Sequence, residues 1–277
     1  MELYDRVSSK LARDLTLSYS TSFGTATKLF PSNVRMHIFN IYGMVRVADE
    51  IVDTYTGNQA GSLLKDFKMQ VFDSLEKKYS TNPIIHAFQI TANAFGINRE
   101  LIEPFFESME MDLRQRTYSK QSYEKYIYGS AEVVGLMCLR VFTHGDDSEY
   151  SSLQKSARAL GSAFQKVNFL RDISADSHEL GRSYFPGVSI DTLDETSRHN
   201  IVLDIRADFR EAYDGVYGLP KTCRLPVMIA YEYYRTLLDK TGSVPIRVLT
   251  SKRVRVANFM KIIILVRVLL TRRIGRP

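Results

Sequence analysis

The chain is poor in the residues that break or staple a fold. Its 277 residues include only 15 Gly and 8 Pro. Long stretches contain neither, which disfavours many short strands and turns. The two cysteines, Cys138 and Cys223, match no metal or redox spacing. That excludes a disulfide framework and predicts buried, reduced thiols. No apolar run reaches the roughly 18 residues of a transmembrane helix. Residues Met1 to Asp5 lack the basic and apolar regions of a signal peptide. The expected location is therefore cytoplasmic.

Several catalytic signatures are also missing. None of the five His lies three residues after a Glu, so the di-iron bundle signature is absent. There is no His-Glu-x-x-His, no Gly-x-Ser-x-Gly, no P-loop and no Gly-x-Gly-x-x-Gly.

Net charge is +6, but it is unevenly placed. Residues 251–277 hold eight basic side chains and no acidic one, leaving 29 basic against 31 acidic residues elsewhere. The body therefore has no nucleic-acid-binding character. The tail also carries the apolar stretch Phe259 to Leu270. Two readings are compatible: a last helix packed by one face, or a helix lying on the anionic inner face of a membrane.

Periodicity and punctuation predict one all-α domain over residues 1–277. Helices are expected near 5–28, 32–54, 59–79, 84–95, 99–117, 121–143, 148–176, 192–217, 221–240 and 246–273. A loop is expected at 178–189.

Two aspartate pairs carry the chemistry. Asp49 and Asp53 are four residues apart, as are Asp172 and Asp176. On a helix each pair points one way. Tyr42, Arg46, Asp49 and Asp53 share one face of the second helix. Gly161, Gln165, Asn168, Asp172 and Asp176 share one face of the seventh. Four carboxylates turned toward an apolar interior repel one another and lose hydration. A hard divalent cation shared with substrate phosphates would offset that cost. Arg46 and Arg171 are placed to grip phosphate, although intrahelical ion pairs are the ordinary alternative. Ser20 and Ser22 can donate to phosphate oxygens or back-bond to their own helix. Arg182 and Tyr184 lie in a glycine- and proline-containing loop suited to a lid or to plain surface. The 16 Tyr and 15 Phe supply ring faces that would suit a carbocation.

These residues resemble the squalene/phytoene synthases, the head-to-head class I isoprenoid synthases. The resemblance runs from about Ser18 to Lys240. It is strongest in Tyr42-x3-Arg46-x2-Asp49-Glu50-x2-Asp53 and in Gln165-x2-Asn168-x2-Arg171-Asp172-x3-Asp176. Gly181-Arg182-x-Tyr184-x-Pro186 follows. The run holding Tyr126, Ala131 and Gly135 is similar to that family's central cavity helix, with Glu132 at a usual Gly position.

The resemblance implies a helical isoprenoid synthase bundle around a central cavity. Asp49, Asp53, Asp172 and Asp176, with Asn168, would bind Mg²⁺ or Mn²⁺. Arg46, Arg171 and Arg182 would bind diphosphate, with Ser20, Ser22, Tyr42 and Tyr184 lining the substrate. Tyr126, Gln165 and Asn168 would face the reacting carbons or order the metal shell. The implied reaction joins two prenyl diphosphates through a cyclopropyl diphosphate. Phytoene from geranylgeranyl diphosphate, without NADPH, is the expected product. A farnesyl diphosphate-using squalene or dehydrosqualene synthase and a non-catalytic scaffold are the alternatives. Release of so apolar a product implies a membrane surface as partner.

Overall fold

The computed structural model describes residues 2–19, 26–55 and 57–274. Over these residues the fold is helical, with a single isolated bridge between Thr117 and Ser183. The helices are α1 (Glu2–Tyr19), α2 (Ser32–Asp53), α3 (Ala60–Lys77), α4 (Pro83–Phe95) and α5 (Arg99–Arg114). Next come α6 (Lys120–Ile127), a π-turn (Tyr128–Glu132), α7 (Val133–Phe142) and α8 (Asp147–His178). The chain continues with α9 (Glu195–Gly218), α10 (Lys221–Ser243), α11 (Ile246–Leu249) and α12 (Asn258–Ile274).

Local chemistry sets most boundaries. Asn82 accepts hydrogen bonds from the Ile84 and Ile85 amides, and Pro83 opens α4. Gly96 closes that helix at φ 68°. Asp146 caps α8 by accepting from the Glu149 amide at 2.8 Å. Asp194 and Ser197 form a reciprocal capping box at the start of α9. Cys138 and Cys223 are free thiols, the first half-buried and the second buried.

Two expected helices differ in the structure, while residues 20–25 of the helix expected over 5–28 lie outside the described residues. The helix expected over 121–143 is interrupted by the π-turn, where the Val133 amide donates to the Tyr128 carbonyl five residues back. One extra residue per turn leaves no mark on hydrophobic periodicity, so the break was invisible in sequence. The last expected helix divides into α11 and α12, with an extended strap between them.

The π-turn is where α5 and α8 both close on the chain. Gly129 sits so tightly on α5 that a Cβ there would lie 2.2 Å from the Pro104 carbonyl oxygen. Gly161 on α8 is pressed against the turn itself, and its Cβ would lie 2.6 Å from the Ala131 carbonyl oxygen. Glu132 is held by Arg158, whose Nε donates to it at 2.6 Å, and Arg158 also covers the Tyr128 ring. The carboxylate at this unusual position is thus neutralised by α8. Helices α2 and α8 both pack on α7.

Gly161→Ala should be destabilised by about 1–3 kcal/mol, because backbone must move to admit the methyl. Gly61 has nothing within 4 Å of its Cβ direction, so Gly61→Ala should melt within about a degree of the parent or above it. Thermal melts of both variants, followed by circular dichroism, check the contrast. Equal melting of the two would refute the close approach.

Candidate active site

The first aspartate pair lies at the C-terminal end of α2. Arg46 is shared between Asp49, at 3.7 Å, and Glu50, with which it forms the tighter pair. Its guanidinium also stacks over the Tyr19 ring at 4.2 Å. Tyr42 is half-buried one turn earlier. Glu50 thus draws Arg46 partly away from the Asp49 face.

The second pair lies near the C-terminal end of α8. Arg171 grips its neighbour Asp172 with two hydrogen bonds of 2.8 and 2.5 Å. Arg253, from the strap after α11, reaches the same carboxylate at 2.7 and 3.2 Å. Asn168 lies one turn before Asp172 and meets the Tyr234 hydroxyl, while its own Oδ1 is buried without a partner. Gln165 is half-buried.

Arg182 joins the two sides. Its Nη1 donates to Asp53 at 2.5 Å and lies 3.7 Å from Asp112. Its Nη2 donates to the Val52 carbonyl at 3.0 Å, and its backbone amide donates to the Asp176 carbonyl at 2.8 Å. The residue is only 4% exposed. The loop that carries it is a buried strap, not a free lid. The Ser183 amide donates to the Arg116 carbonyl at 2.7 Å, and the Ser183 hydroxyl to the Val188 carbonyl at 2.6 Å.

Behind Arg182 stands an acid that the spacing of aspartates did not reveal. Asp112 on α5 is 3% exposed. It accepts from the hydroxyls of Tyr126 at 2.7 Å, Tyr184 at 3.1 Å and Tyr118 at 3.2 Å. The Tyr184 ring stacks on Phe169 at 3.9 Å and 6°. Tyr126 packs against both rings. One carboxylate thereby fixes the tilt of an aromatic wall beside the aspartates.

The model of the squalene/phytoene synthase family matches residues 17–259. The chain belongs to the squalene/phytoene synthase family. It is 28% identical over 244 residues to 15-cis-phytoene synthase of Pantoea ananas, covering 79% of this chain and 77% of the relative. It is 29% identical over 242 residues to chloroplastic phytoene synthase 3 of Zea mays, covering 80% of this chain. It spans only 56% of that maize protein's length. The fold superposes on a dehydrosqualene synthase structure with a TM-score of 0.83 at 19% identity, covering 97% of this chain and 98% of the other. A squalene synthase from Alicyclobacillus acidocaldarius superposes with a TM-score of 0.76 at 22% identity, covering 91% and 97%.

Within this squalene/phytoene synthase family member, the structure brings Asp53, Asp112, Asp176 and Arg182 together. It places Tyr126, Tyr184 and Phe169 beside them. Ser20 and Ser22 lie outside the described residues. Asp112, Tyr118, Phe169 and Arg253 were missed by sequence reasoning. The one usable signal for Asp112 was its place on the apolar stripe of α5, seven residues after buried Phe105. An open cleft between α3 and α5 is a poorer candidate site. Its Lys68 is already paired with Glu103 and Glu110, and its Arg99 with Glu103 at 2.9 Å.

The donor set suits a hard cation. Among the described residues, no three His, Cys, Asp or Glu side chains form a closed metal cage. Mg²⁺ does not need one, since it takes one or two carboxylates plus water and phosphate oxygens. The carboxylates are also undercompensated. Burial, then Asp53, pushes Asp49 up to about 8. Burial, then Asp172 and Asp53, pushes Asp176 up to about 7. Burial also raises Asp112 to about 6, against the opposing pull of Arg182.

Two outcomes follow for the isolated protein. Carboxyls raised in the folded state stabilise it below their unfolded pKa, and that contribution is lost as pH rises through the folded value. The cation-free melting temperature should therefore fall from about pH 5 to about pH 8, the window set by Asp112, Asp176 and Asp49. Millimolar Mg²⁺ at the upper end should restore part of the loss. A flat profile, unmoved by Mg²⁺, would contradict this electrostatic account. Separately, Asp112→Ala strands three hydroxyls and removes a partner of Arg182, and should cost about 3–5 kcal/mol in urea unfolding. Asp112→Asn keeps an acceptor and should cost clearly less.

Proposed function

We propose that the chain condenses two prenyl diphosphates head to head in a Mg²⁺-dependent reaction. The preferred substrate is geranylgeranyl diphosphate, and the product is 15-cis-phytoene. The observation that carries this reading is that Arg182 ties the two aspartate motifs together beside an aromatic wall, its guanidinium on Asp53 and its backbone amide on the Asp176 carbonyl. The curated relatives named phytoene synthases support the C20 choice.

Mg²⁺, held by Asp49 and Asp53 on one side and by Asp172, Asp176 and Asn168 on the other, would neutralise charge on the departing diphosphate. The chain's own groups do the rest. Arg182, with Arg46 and Arg171, supplies fixed positive charge where the diphosphates sit. Those arginines are occupied by carboxylates here, so substrate phosphate must compete with Asp53, Glu50 and Asp172 for them. Ionisation releases diphosphate and leaves an allylic cation; the double bond of the second substrate captures it, and loss of a proton from C1 of that second substrate closes the ring to give a cyclopropyl diphosphate. A second ionisation and rearrangement form the 1-1′ bond, and loss of a proton gives the triene centre of phytoene. The faces of Tyr126, Tyr184 and Phe169 favour the positive carbon. Asp112 keeps the tyrosine hydroxyls turned away from it by holding them in hydrogen bonds.

Purified protein and Mg²⁺ should convert C20 diphosphate to a C40 hydrocarbon without NADPH. Asp49→Ala and Asp172→Ala should each lower turnover at least about 100-fold while keeping helical circular dichroism. A C30 product from farnesyl diphosphate would replace the C20 assignment, with NADPH dependence separating squalene from dehydrosqualene. Prenyl diphosphate binding without turnover under any condition would instead support a scaffold.

A further inference from the structure

The Asp172 carboxylate is fully occupied by the protein itself. A carboxylate offers about four lone-pair sites, two on each oxygen. Arg171 donates from Nε to Oδ1 at 2.8 Å and from Nη2 to Oδ2 at 2.5 Å. Arg253, from the strap after α11, adds Nε on Oδ1 at 2.7 Å and Nη2 on Oδ2 at 3.2 Å. Each oxygen therefore accepts twice. Mg²⁺ binds oxygen directly, at about 2.0–2.1 Å, and needs a lone pair of its own. It cannot reach Asp172 while both guanidiniums stay. Asp49 differs, since Arg46 stands 3.7 Å away and pairs more closely with Glu50.

The two guanidiniums are not equally committed. The Arg171 side chain is 15% exposed and sits on the same helix as its partner, whereas that of Arg253 is 48% exposed. A shielded arginine is costly to unpair, while an exposed one can exchange a carboxylate for water. The backbone that carries Arg253 is nevertheless fixed. Helix α11 packs on α8, and its Leu249 is fully buried. Val254 and Val256 are buried, and the Lys240 ammonium donates to the Arg255 carbonyl at 2.6 Å. Release therefore needs only a swing of the Arg253 side chain, not an opening of the strap. We propose that Arg253 is a latch, which fills Asp172 from a fixed strap and keeps a divalent cation off that carboxylate until the guanidinium swings into solvent. This rests on the reading that Asp172 takes such a cation, and it adds an internal competitor to it. The first cation enters on the open Asp49 side, and Asp172 joins only after release.

The test is calorimetric titration of the full chain with Mg²⁺, without substrate. Arg253→Gln should bind Mg²⁺ at least about tenfold more tightly than the parent. Arg253→Lys should fall between them, because one ammonium does not span both oxygens as a guanidinium does. Lys252→Gln removes the same charge from the exposed neighbouring position and should change the affinity by about twofold or less. Asp172→Asn should also shift the parent by about twofold or less, since the latched carboxylate is not yet a ligand. In the Arg253→Gln background, the same Asp172→Asn change should abolish the gain. If Arg253→Gln does not fold, Arg253→Lys carries the comparison: tighter binding than the parent supports the latch, and equal binding overturns it. A gain that survives Asp172→Asn, or that Lys252→Gln reproduces, reduces Arg253 to a general surface charge and refutes the latch. A parent that binds Mg²⁺ no more weakly than Arg253→Gln refutes the latch alone and leaves the cation reading intact. Absence of Mg²⁺ binding in the parent and every variant at millimolar concentration removes the cation reading, and the latch with it.

Discussion

The interior of this protein depends on one buried guanidinium. Arg182 touches Asp53 from α2 and lies near Asp112 from α5, while its backbone is tied to the end of α8. Without a cation at that point, three carboxyl-bearing helices would meet with like charge in a poorly hydrated space. Removing water from charges is costly, and only close pairing with further hydrogen bonds offsets it. The Arg182 contacts meet that condition. They also explain why the strap after α8 is packed inward although its sequence is that of a turn.

The two aspartate pairs are electrostatically unequal. Asp172 is enclosed by Arg171 and Arg253, whereas burial and neighbouring acids dominate at Asp49 and Asp176. The site thus has a neutralised side and a side with surplus negative charge. Under the proposed condensation, the negative side would attract the divalent cation and the arginine-rich side would suit the diphosphate. Unequal halves of this kind would then give two chemically identical substrates distinct places.

Much of the fold was legible because helix periodicity and capping act locally. The stripe from Gly161 to Asp176 is one face of α8, and Asn82-Pro83, Gly96 and Asp146 mark helix ends in sequence as in space. The two aspartate motifs were legible for the same reason, since i, i+4 spacing is visible without any tertiary information. Asp112 was not, because its meaning comes from tyrosines 6, 14 and 72 residues away. Arg253 was one basic residue among eight in the tail, and nothing local distinguishes it. The burial of Arg182 was likewise hidden, since a Gly- and Pro-flanked arginine reads as surface until its long-range partners are known.

That division between local and distant information extends to how the molecule forms. The Arg182–Asp53 contact spans 129 residues and the Arg253–Asp172 contact 81. Helices capped by their own neighbours can form early, whereas contacts of this span carry the largest loop-closure cost. The site is therefore expected to assemble late, after most backbone helicity is in place. A chain caught short of that step has the helical spectrum of the finished protein and none of its internal charge pairing.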